Sequence, residues 1–236
     1  MLIGFDPMYF LFLAPGILLA LWAQMKVKWA YAHASQIPSR SGYTGAMAAR
    51  QVMEAGGVYD VGVEETEGFL SDHYDPRHKV LRLSPDVYCG RSLASLGIAA
   101  HEAGHALQHG HGYAPLALRN GLVPLASTGS YLSMFTIMIG LLMSNTHFGR
   151  SMLLVGIGLF SLTVVFQLVN LPVEFNASSR ARESLLAIGL VDRDEDAVVK
   201  QVLSAAALTY VAATISAVLT LLYYLYRAGL LGGRRD

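Results

Sequence analysis

Four long stretches without a charged residue dominate the pattern of apolar and polar positions along this chain. They contain no Asp, Glu, Lys or Arg and run over Pro7–Met25, Asn120–Gly149, Ser151–Val173 and Gln201–Tyr226. A helix of about 20 apolar residues crosses the hydrocarbon core of a bilayer, and four such stretches leave too little polar sequence to cover them in water. The pattern therefore predicts an integral membrane protein with four transmembrane helices, at residues 7–25, 121–143, 151–171 and 205–226.

Two polar segments, at residues 26–119 and 172–204, separate these spans. In the first, Thr44–Ala55 predicts a short helix that Gly56 ends, and the alanine-rich run Arg91–His109 predicts a long one. Between them lie three strand-like runs, at Tyr59–Glu64, Gly68–Tyr74 and His78–Ser84. The last two flank the turn Asp75-Pro76-Arg77, which favours an antiparallel hairpin. The sequence thus predicts a mainly α protein with an α+β domain that carries a small antiparallel sheet, and a helical second segment.

Composition and charge narrow the class of protein. Only 14% of the residues are charged, whereas soluble proteins average about 25%, so the lipid bilayer is an expected partner. The formal net charge is zero, and nothing therefore favours nucleic acid as a partner. The single cysteine, Cys89, excludes an intrachain disulfide and fits a reducing compartment.

Basic residues predict the orientation of the spans. Those beside the two polar segments are Lys26, Lys28, Arg119, Arg180, Arg182 and Lys200. Since cytoplasmic loops are enriched in such residues, we expect both segments to lie in the cytoplasm, at the inner (plasma) membrane. Another set falls on the opposite side and favours the reverse orientation: Arg150, Arg227, Arg234 and Arg235.

The pattern H-E-x-x-H lies within the predicted long helix, as His101-Glu102-Ala103-Gly104-His105. Residues four apart share a helix face, so His101 and His105 can bind one zinc ion. Glu102 would then lie beside the open coordination position, where it can accept a proton from water that the metal has acidified. The motif predicts a zinc hydrolase with Glu102 as its general base.

A catalytic zinc ion needs a third protein ligand, and the sequence offers two candidates. His111 stands where the longer pattern H-E-x-x-H-x-x-G-x-x-H would place it, but Gln108 occupies the position of the glycine that turns the chain. Glu174 follows the third span, and Pro172 suits the first turn of a helix that leaves the membrane. Local chemistry favours Glu174 over His111 as the third ligand, but both residues remain candidates at this point.

Four separated motifs make the chain resemble the YugP-like neutral zinc metallopeptidases. They are Ser71-Asp72-His73-Tyr74-Asp75-Pro76, His101–His105, Tyr113-Ala114-Pro115-Leu116 and Leu171–Ser179. The resemblance spans nearly the whole chain, and it implies a membrane-bound peptidase with one Zn²⁺ per chain that acts on peptide or protein substrates. It also implies a zincin-like (gluzincin) domain in which Glu174 is the third ligand.

A more distant similarity, to HtpX-like and CAAX prenyl proteases, concerns the surroundings of the metal. In those families the glutamate ligand belongs to an E-x-x-A-D motif, whose aspartate would orient a ligating histidine. Ser178 stands at that position here, so another group takes the role of the carboxylate or the role is unfilled. Asn176, Asp72 and Asp75 are the alternatives.

The leading hypothesis is a zinc metalloendopeptidase that acts at the cytoplasmic face of the membrane. His73 and Arg180 are further catalytic candidates, because either could stabilise an oxyanion. The alternative is a non-catalytic, zinc-containing membrane interaction module. The retained Glu102 argues against that alternative, since a structural zinc site does not require an adjacent base. The sequence indicates neither partner proteins nor an oligomeric state.

Overall fold

The computed structural model describes residues 7–68 and 71–231. Its elements, in chain order, are α1 (Pro7–Ser35), α2 (Gly45–Ala55), β1 (Gly62–Glu65), β2 (His73–Asp75), β3 (Val80–Leu83), α3 (Pro85–Tyr88), α4 (Leu93–Gly110), α5 (Ala114–Leu142), α6 (His147–Ala187) and α7 (Arg193–Arg227). Phe69 and Leu70 of the second strand-like run, and the terminal Arg234 and Arg235, lie outside the described residues.

Four of these helices, α1, α5, α6 and α7, are long and apolar enough to cross a membrane. They contain 29, 29, 41 and 35 residues, whereas a span needs only about 20. Each helix therefore continues beyond its charge-free stretch into neighbouring polar sequence. The prediction of four apolar helices in a mainly helical protein is confirmed.

One local prediction about α6 is wrong. Pro172 was expected in the first turn of a new helix, but α6 runs without interruption from His147 to Ala187 and Pro172 lies inside it. A proline within a helix removes one backbone hydrogen bond, and membrane helices tolerate this loss because neighbouring groups satisfy the freed carbonyl. Pro15 in α1 and Pro124 in α5 are also internal.

The chain divides into two compact units. One comprises Met1–Trp22, Leu118–Leu171 and Thr209–Asp236, and the other comprises Ala23–Ala117 and Pro172–Leu208. In the first unit, Ile137 of α5 packs with Leu153 and Ile157 of α6. Gly140 allows this approach, because a Cβ there would lie 2.6 Å from the backbone nitrogen of Leu153.

The second unit has its core around α2, α4 and β3. α2 begins after Thr44, whose side chain accepts a hydrogen bond from the backbone N–H of Met47, and it ends at Gly56 and Gly57, the latter with a φ of +75°. The largest fully buried side chains in this core are Val52, Leu81, Leu83, Val87, Leu93, Leu96, Leu185 and Val199. This apolar packing supports one face of α4, the helix that carries His101 and His105.

The sheet is mixed, which corrects the prediction of an antiparallel sheet. The hairpin of β2 and β3 is antiparallel as expected, with Tyr74 opposite Leu81. However, β1 pairs in parallel with β3, with Val63 opposite Leu81, and the strand order is β1-β3-β2. The chain reverses once between β1 and β2 and again in the hairpin, so β1 and β3 run in the same direction. In this strand order β3 is central, and β1 and β2 are the edge strands.

Candidate metal centre

α4 places both histidines of the H-E-x-x-H motif on one side. The helix begins after Ser92, whose side chain accepts a hydrogen bond from the backbone N–H of Ser95. Its 18 residues reach Gly110, close to the predicted end. The rings of His101 and His105 lie 4.9 Å apart, between centroids, at an interplanar angle of 83°. The four-residue spacing therefore does bring the two imidazoles together.

Glu174 of α6 completes a group of three potential ligands. Its Oε2 atom lies 3.3 Å from Nε2 of His101 and 3.7 Å from Nε2 of His105. The ligand atoms of the three residues all lie within 4.8 Å of one another, a spacing that can hold a metal ion. The Glu174 side chain is only 3% exposed, although carboxylates are seldom buried without a partner.

The chemistry of the three side chains fits a cation. Glu174 Oε2 is buried and has no hydrogen-bond partner, even though two imidazole nitrogens face it. His105 donates from its other nitrogen, Nδ1, to the Gln108 side-chain oxygen at 3.0 Å, and a neutral His105 therefore holds its lone pair on Nε2. His101 Nδ1 lies 3.1 Å from Ser178 Oγ, a hydroxyl that can donate or accept. A neutral His105 therefore turns a nitrogen lone pair towards the Glu174 carboxylate, and the two groups repel one another unless a metal ion or a proton lies between them.

A glycine brings the two ligand-bearing helices together. A Cβ on Gly104 would lie 2.6 Å from the carbonyl oxygen of Ala177, which is backbone of α6. No side chain can be accommodated there without moving a helix, because real Cβ atoms do not approach other atoms so closely. Gly104 lies between His101 and His105 in α4, and Ala177 lies between Glu174 and Ser178 in α6. The close contact therefore sets the separation of the ligands.

Replacing Gly104 with alanine should weaken binding of the zinc ion that the H-E-x-x-H motif predicts. The added methyl group forces α4 away from the Ala177 carbonyl, a form of overpacking that typically costs about 1–3 kcal/mol, and the shift separates Glu174 from the histidines. Zinc affinity by chelator competition and thermal unfolding would measure both effects. Gly158→Ala is the matched control, since a Cβ there meets no atom within 4 Å. Equal zinc affinity in the two variants would contradict this account.

Glu102 is held by the edge strand of the sheet. Its Oε2 accepts a hydrogen bond of 3.0 Å from the backbone N–H of Tyr74 in β2. Burial raises the pKa of the Glu102 carboxyl above its ordinary value, against the opposing influence of His101 and His105. A carboxylate that is both fixed in position and more basic than usual suits a proton acceptor.

Gln108 contributes to this region although it lies outside the H-E-x-x-H motif. It stands in place of a turn glycine in the sequence pattern, and its side chain is fully buried and contacts His105. The sequence contains a signal for this contact, because residues three apart are neighbours on a helix. The chain does turn after α4, but at Gly112, which has a φ of +64°.

The expected substitutes for an orienting aspartate have other partners. Asp72 accepts hydrogen bonds from the backbone N–H and hydroxyl of Ser84, and burial raises its pKa. Asp75 bonds Arg82 and His78 within the hairpin. Ser178 itself contacts His101. The serine therefore takes the place of the aspartate in its geometry, though without a charge.

Three other candidate residues make contacts outside the group of His101, His105 and Glu174. His73 is exposed, and its Nδ1 donates a hydrogen bond to the carbonyl of Ser71 at 2.7 Å. Arg180 donates from Nε to Asn176 and from Nη1 to His111. His111 in turn donates from Nε2 to the carbonyl of Gly56 at 2.9 Å. Both nitrogens of His111 are thus occupied, and it does not join the three ligands.

A polar cavity of about 310 Å³ adjoins the C-terminal half of α4. Its lining includes Tyr74, Lys79, Ala106 and His109. The Tyr74 hydroxyl forms a hydrogen bond of 2.7 Å with Nδ1 of His109, and burial raises the pKa of Tyr74 to about 12, so the phenol stays protonated. Because Tyr74 also bonds Glu102 through its backbone, the cavity shares a residue with the candidate centre.

Four helices able to cross a membrane, together with three side chains able to hold a metal ion, define a membrane protein with a candidate metal centre. Over residues 9–229 the chain matches the model of a family described as "Putative neutral zinc metallopeptidase", and it belongs to that family. It is 44% identical over 220 residues to "Putative membrane protease YugP" of Bacillus subtilis (strain 168), covering 92% of this chain and 95% of that protein. No solved structure matches it. The resemblance based on four motifs is confirmed.

Proposed function

We propose that this protein is a zinc metalloendopeptidase of the gluzincin type, which binds one zinc ion per chain and hydrolyses peptide bonds at the cytoplasmic face of the membrane. The observation that carries the proposal is the convergence of His101, His105 and Glu174 on one point, with the Glu174 oxygen buried and without a hydrogen-bond partner. Two histidines and one carboxylate are a ligand set found in catalytic zinc sites, where the fourth position stays open. Membership of a zinc peptidase family supports the same conclusion.

Each residue of the centre has a distinct part in this mechanism. When bound, the zinc ion supplies a Lewis acid that acidifies water and polarises the scissile carbonyl. Glu102 accepts a proton from the attacking water and returns it to the nitrogen of the leaving amine as the carbon–nitrogen bond breaks. The Tyr74 N–H holds the Glu102 carboxylate in position for both transfers. The charge of Glu174 compensates part of the charge of the metal.

The edge strand β2 offers a binding surface for an extended peptide. The Tyr74 N–H leaves the sheet towards Glu102, and the carbonyl of the same residue points to the same edge, as in any antiparallel strand. A substrate N–H can donate to that carbonyl, so that the peptide adds a strand to the sheet. The neighbouring cavity of about 310 Å³ can take a substrate side chain.

His73 and Arg180 remain proposed stabilisers of the oxyanion, on different grounds. His73 uses its Nδ1 proton on Ser71, so its Nε2 can donate only when the imidazole is protonated. Arg180 is always charged, and its bonds to Asn176 and His111 occupy Nε and Nη1. The second terminal nitrogen of Arg180 is the atom that would reach a substrate.

The cytoplasmic location predicts a specific topology. A reporter protein fused after His33, in place of the residues that follow, should be active on the cytoplasmic side, because Lys26 and Lys28 follow the first span and cytoplasmic flanks are enriched in basic residues. A reporter inserted after Asn145, between α5 and α6, should give the opposite result and serves as the control. The reverse pattern would show that Arg150 and the C-terminal arginines determine the orientation.

The function itself is tested on the purified full-length protein in detergent or nanodiscs. Zinc content and cleavage of a quenched casein peptide are measured on the same sample, for the wild type and for Glu102→Gln. One zinc ion per chain with cleavage only by the wild type supports the proposal. Zinc without cleavage in either protein would favour the non-catalytic membrane module.

A further inference from the structure

The side chain of Gln108 connects the metal-binding helix α4 to the helix that carries Glu174. We infer that Gln108 is a positioning residue of the metal centre: it fixes which nitrogen of His105 faces the metal and holds that ring against α6. The inference rests on the proposed function, because it concerns the same zinc ion. It assigns a role to a fully buried amide that the H-E-x-x-H motif does not include.

The contacts of Gln108 determine the orientation of its amide. Its Nε2 donates to the backbone carbonyl of Val173 at 2.8 Å and to Oδ1 of Asn176 at 3.0 Å. A carbonyl oxygen can only accept, so the amide nitrogen must face Val173 and the amide oxygen must face His105. His105 Nδ1, 3.0 Å from that oxygen, therefore donates, and a neutral His105 is left with its lone pair on Nε2.

Arg180 fixes the orientation of the Asn176 side chain, which accepts a hydrogen bond from Gln108. Its Nε donates to Asn176 Oδ1 at 2.8 Å, and a guanidinium has donors only and does not lose its proton. Asn176 therefore presents its oxygen, the same atom that accepts from Gln108. Arg180 and the Val173 carbonyl therefore impose the same directions on the hydrogen bonds that connect Arg180, Asn176, Gln108 and His105.

His101 has no comparable constraint. Its Nδ1 contacts the hydroxyl of Ser178, and a serine hydroxyl can rotate to donate or to accept. The tautomer of His101 is thus not imposed by its partner, whereas that of His105 is. Gln108 consequently prepares one of the two histidines for the metal before the metal arrives.

The loss of this interaction has an expected size. Partners that orient ligating histidines typically change metal affinity by about 10- to 100-fold when they are removed. The contribution of Gln108 should fall in this range, since it acts on His105 and also ties α4 to Val173, the residue before Glu174. The proposed role does not require that Gln108 touch the substrate.

Two substitutions distinguish between two roles of Gln108. In one role it positions His105, and in the other it only connects α4 to α6. Gln108→Met keeps the volume of the side chain and removes all three hydrogen bonds. Gln108→Glu, when ionised, has no donor and so loses the hydrogen bonds to Val173 and Asn176, but one carboxylate oxygen can still accept from His105 Nδ1. If Gln108 only connects the helices, both variants lose metal affinity equally. If it positions His105, only Gln108→Met loses it.

The experiment uses the full-length protein in nanodiscs. Zinc affinity is measured by chelator competition, the visible spectrum of the Co²⁺-substituted protein reports ligand geometry, and thermal unfolding of the metal-free protein reports stability. We expect Gln108→Met to bind zinc about 10- to 100-fold more weakly with an altered cobalt spectrum, and Gln108→Glu to retain affinity and spectrum. Gln51→Met in α2, where Gln51 bonds only the neighbouring Glu54, should match the wild type.

Three outcomes would overturn the inference. Wild-type affinity in Gln108→Met shows that the amide does not position the ligand. An equal loss in Gln108→Glu shows that the amide only connects α4 to α6. Failure of the wild type to bind zinc overturns the inference and the proposed function together, and this outcome is distinct from the other two.

Discussion

Replacing Glu102 with glutamine should abolish peptide hydrolysis and leave zinc binding intact. The amide has the shape of the carboxylate, and its oxygen can still accept the hydrogen bond from Tyr74 N–H, but it cannot take a proton from water. Loss of a general base typically slows a reaction by about 10²- to 10⁴-fold, which corresponds to roughly 3–5 kcal/mol of transition-state free energy. Zinc should remain at one ion per chain, because Glu102 lies beside the three ligands and is not one of them.

The measurement is the initial rate on a quenched peptide, with zinc content determined on the same preparation. Gln51→Met serves as a control for expression and purification, since Gln51 lies on the exposed side of α2 and forms a hydrogen bond with Glu54 of the same helix. Turnover by Glu102→Gln at the wild-type rate would exclude Glu102 as the base. Loss of zinc from this variant would instead show that the carboxylate helps to bind the metal.

Removing the carboxylate of Glu174 should eliminate zinc and activity together. Glu174→Ala leaves only His101 and His105, so the site loses both a ligand and the negative charge that compensates the cation. We expect zinc affinity to fall by more than the roughly 10- to 100-fold that is typical for the loss of an outer partner. Glu174→Gln retains an oxygen without the charge and should show an intermediate affinity.

His111→Ala is the informative comparison for the third ligand. Both nitrogens of His111 are engaged, with Arg180 and with the carbonyl of Gly56, so its removal should leave zinc content unchanged. Elemental analysis and peptide cleavage would be measured for both variants. Zinc lost from the His111 variant and kept by the Glu174 variant would invert the assignment.

The predictable parts of this protein are those that local patterns determine. Four charge-free stretches specify four long helices, because a membrane requires about 20 apolar residues for each span. The spacing of His101 and His105 specifies a shared helix face. The hairpin of β2 and β3 follows from the turn residues Asp75-Pro76-Arg77. In each case the residues of one continuous segment are sufficient to predict the structure of that segment.

The parts that were missed depend on contacts between distant segments. The parallel pairing of β1 with β3 follows from two reversals of the chain, and no local alternation of residues encodes it. The roles of Gln108 and Ser178 depend on how closely α4 approaches α6, which Gly104 makes possible at the carbonyl of Ala177. Proline is common in the first turn of a helix, so Pro172 predicted a helix start. In the structure it lies inside α6.

The metal centre joins residues that a ribosome makes at different times. His101 and its partner Ser178 are 77 positions apart in the sequence, so at about 5–20 residues per second their syntheses are separated by roughly 4 to 15 seconds. During this interval a nascent chain offers two histidines without Glu174, and full metal affinity becomes available only when α6 folds against α4. If the proposed peptidase activity requires all three ligands, a newly made chain gains it only after α6 has been synthesised and has folded against α4.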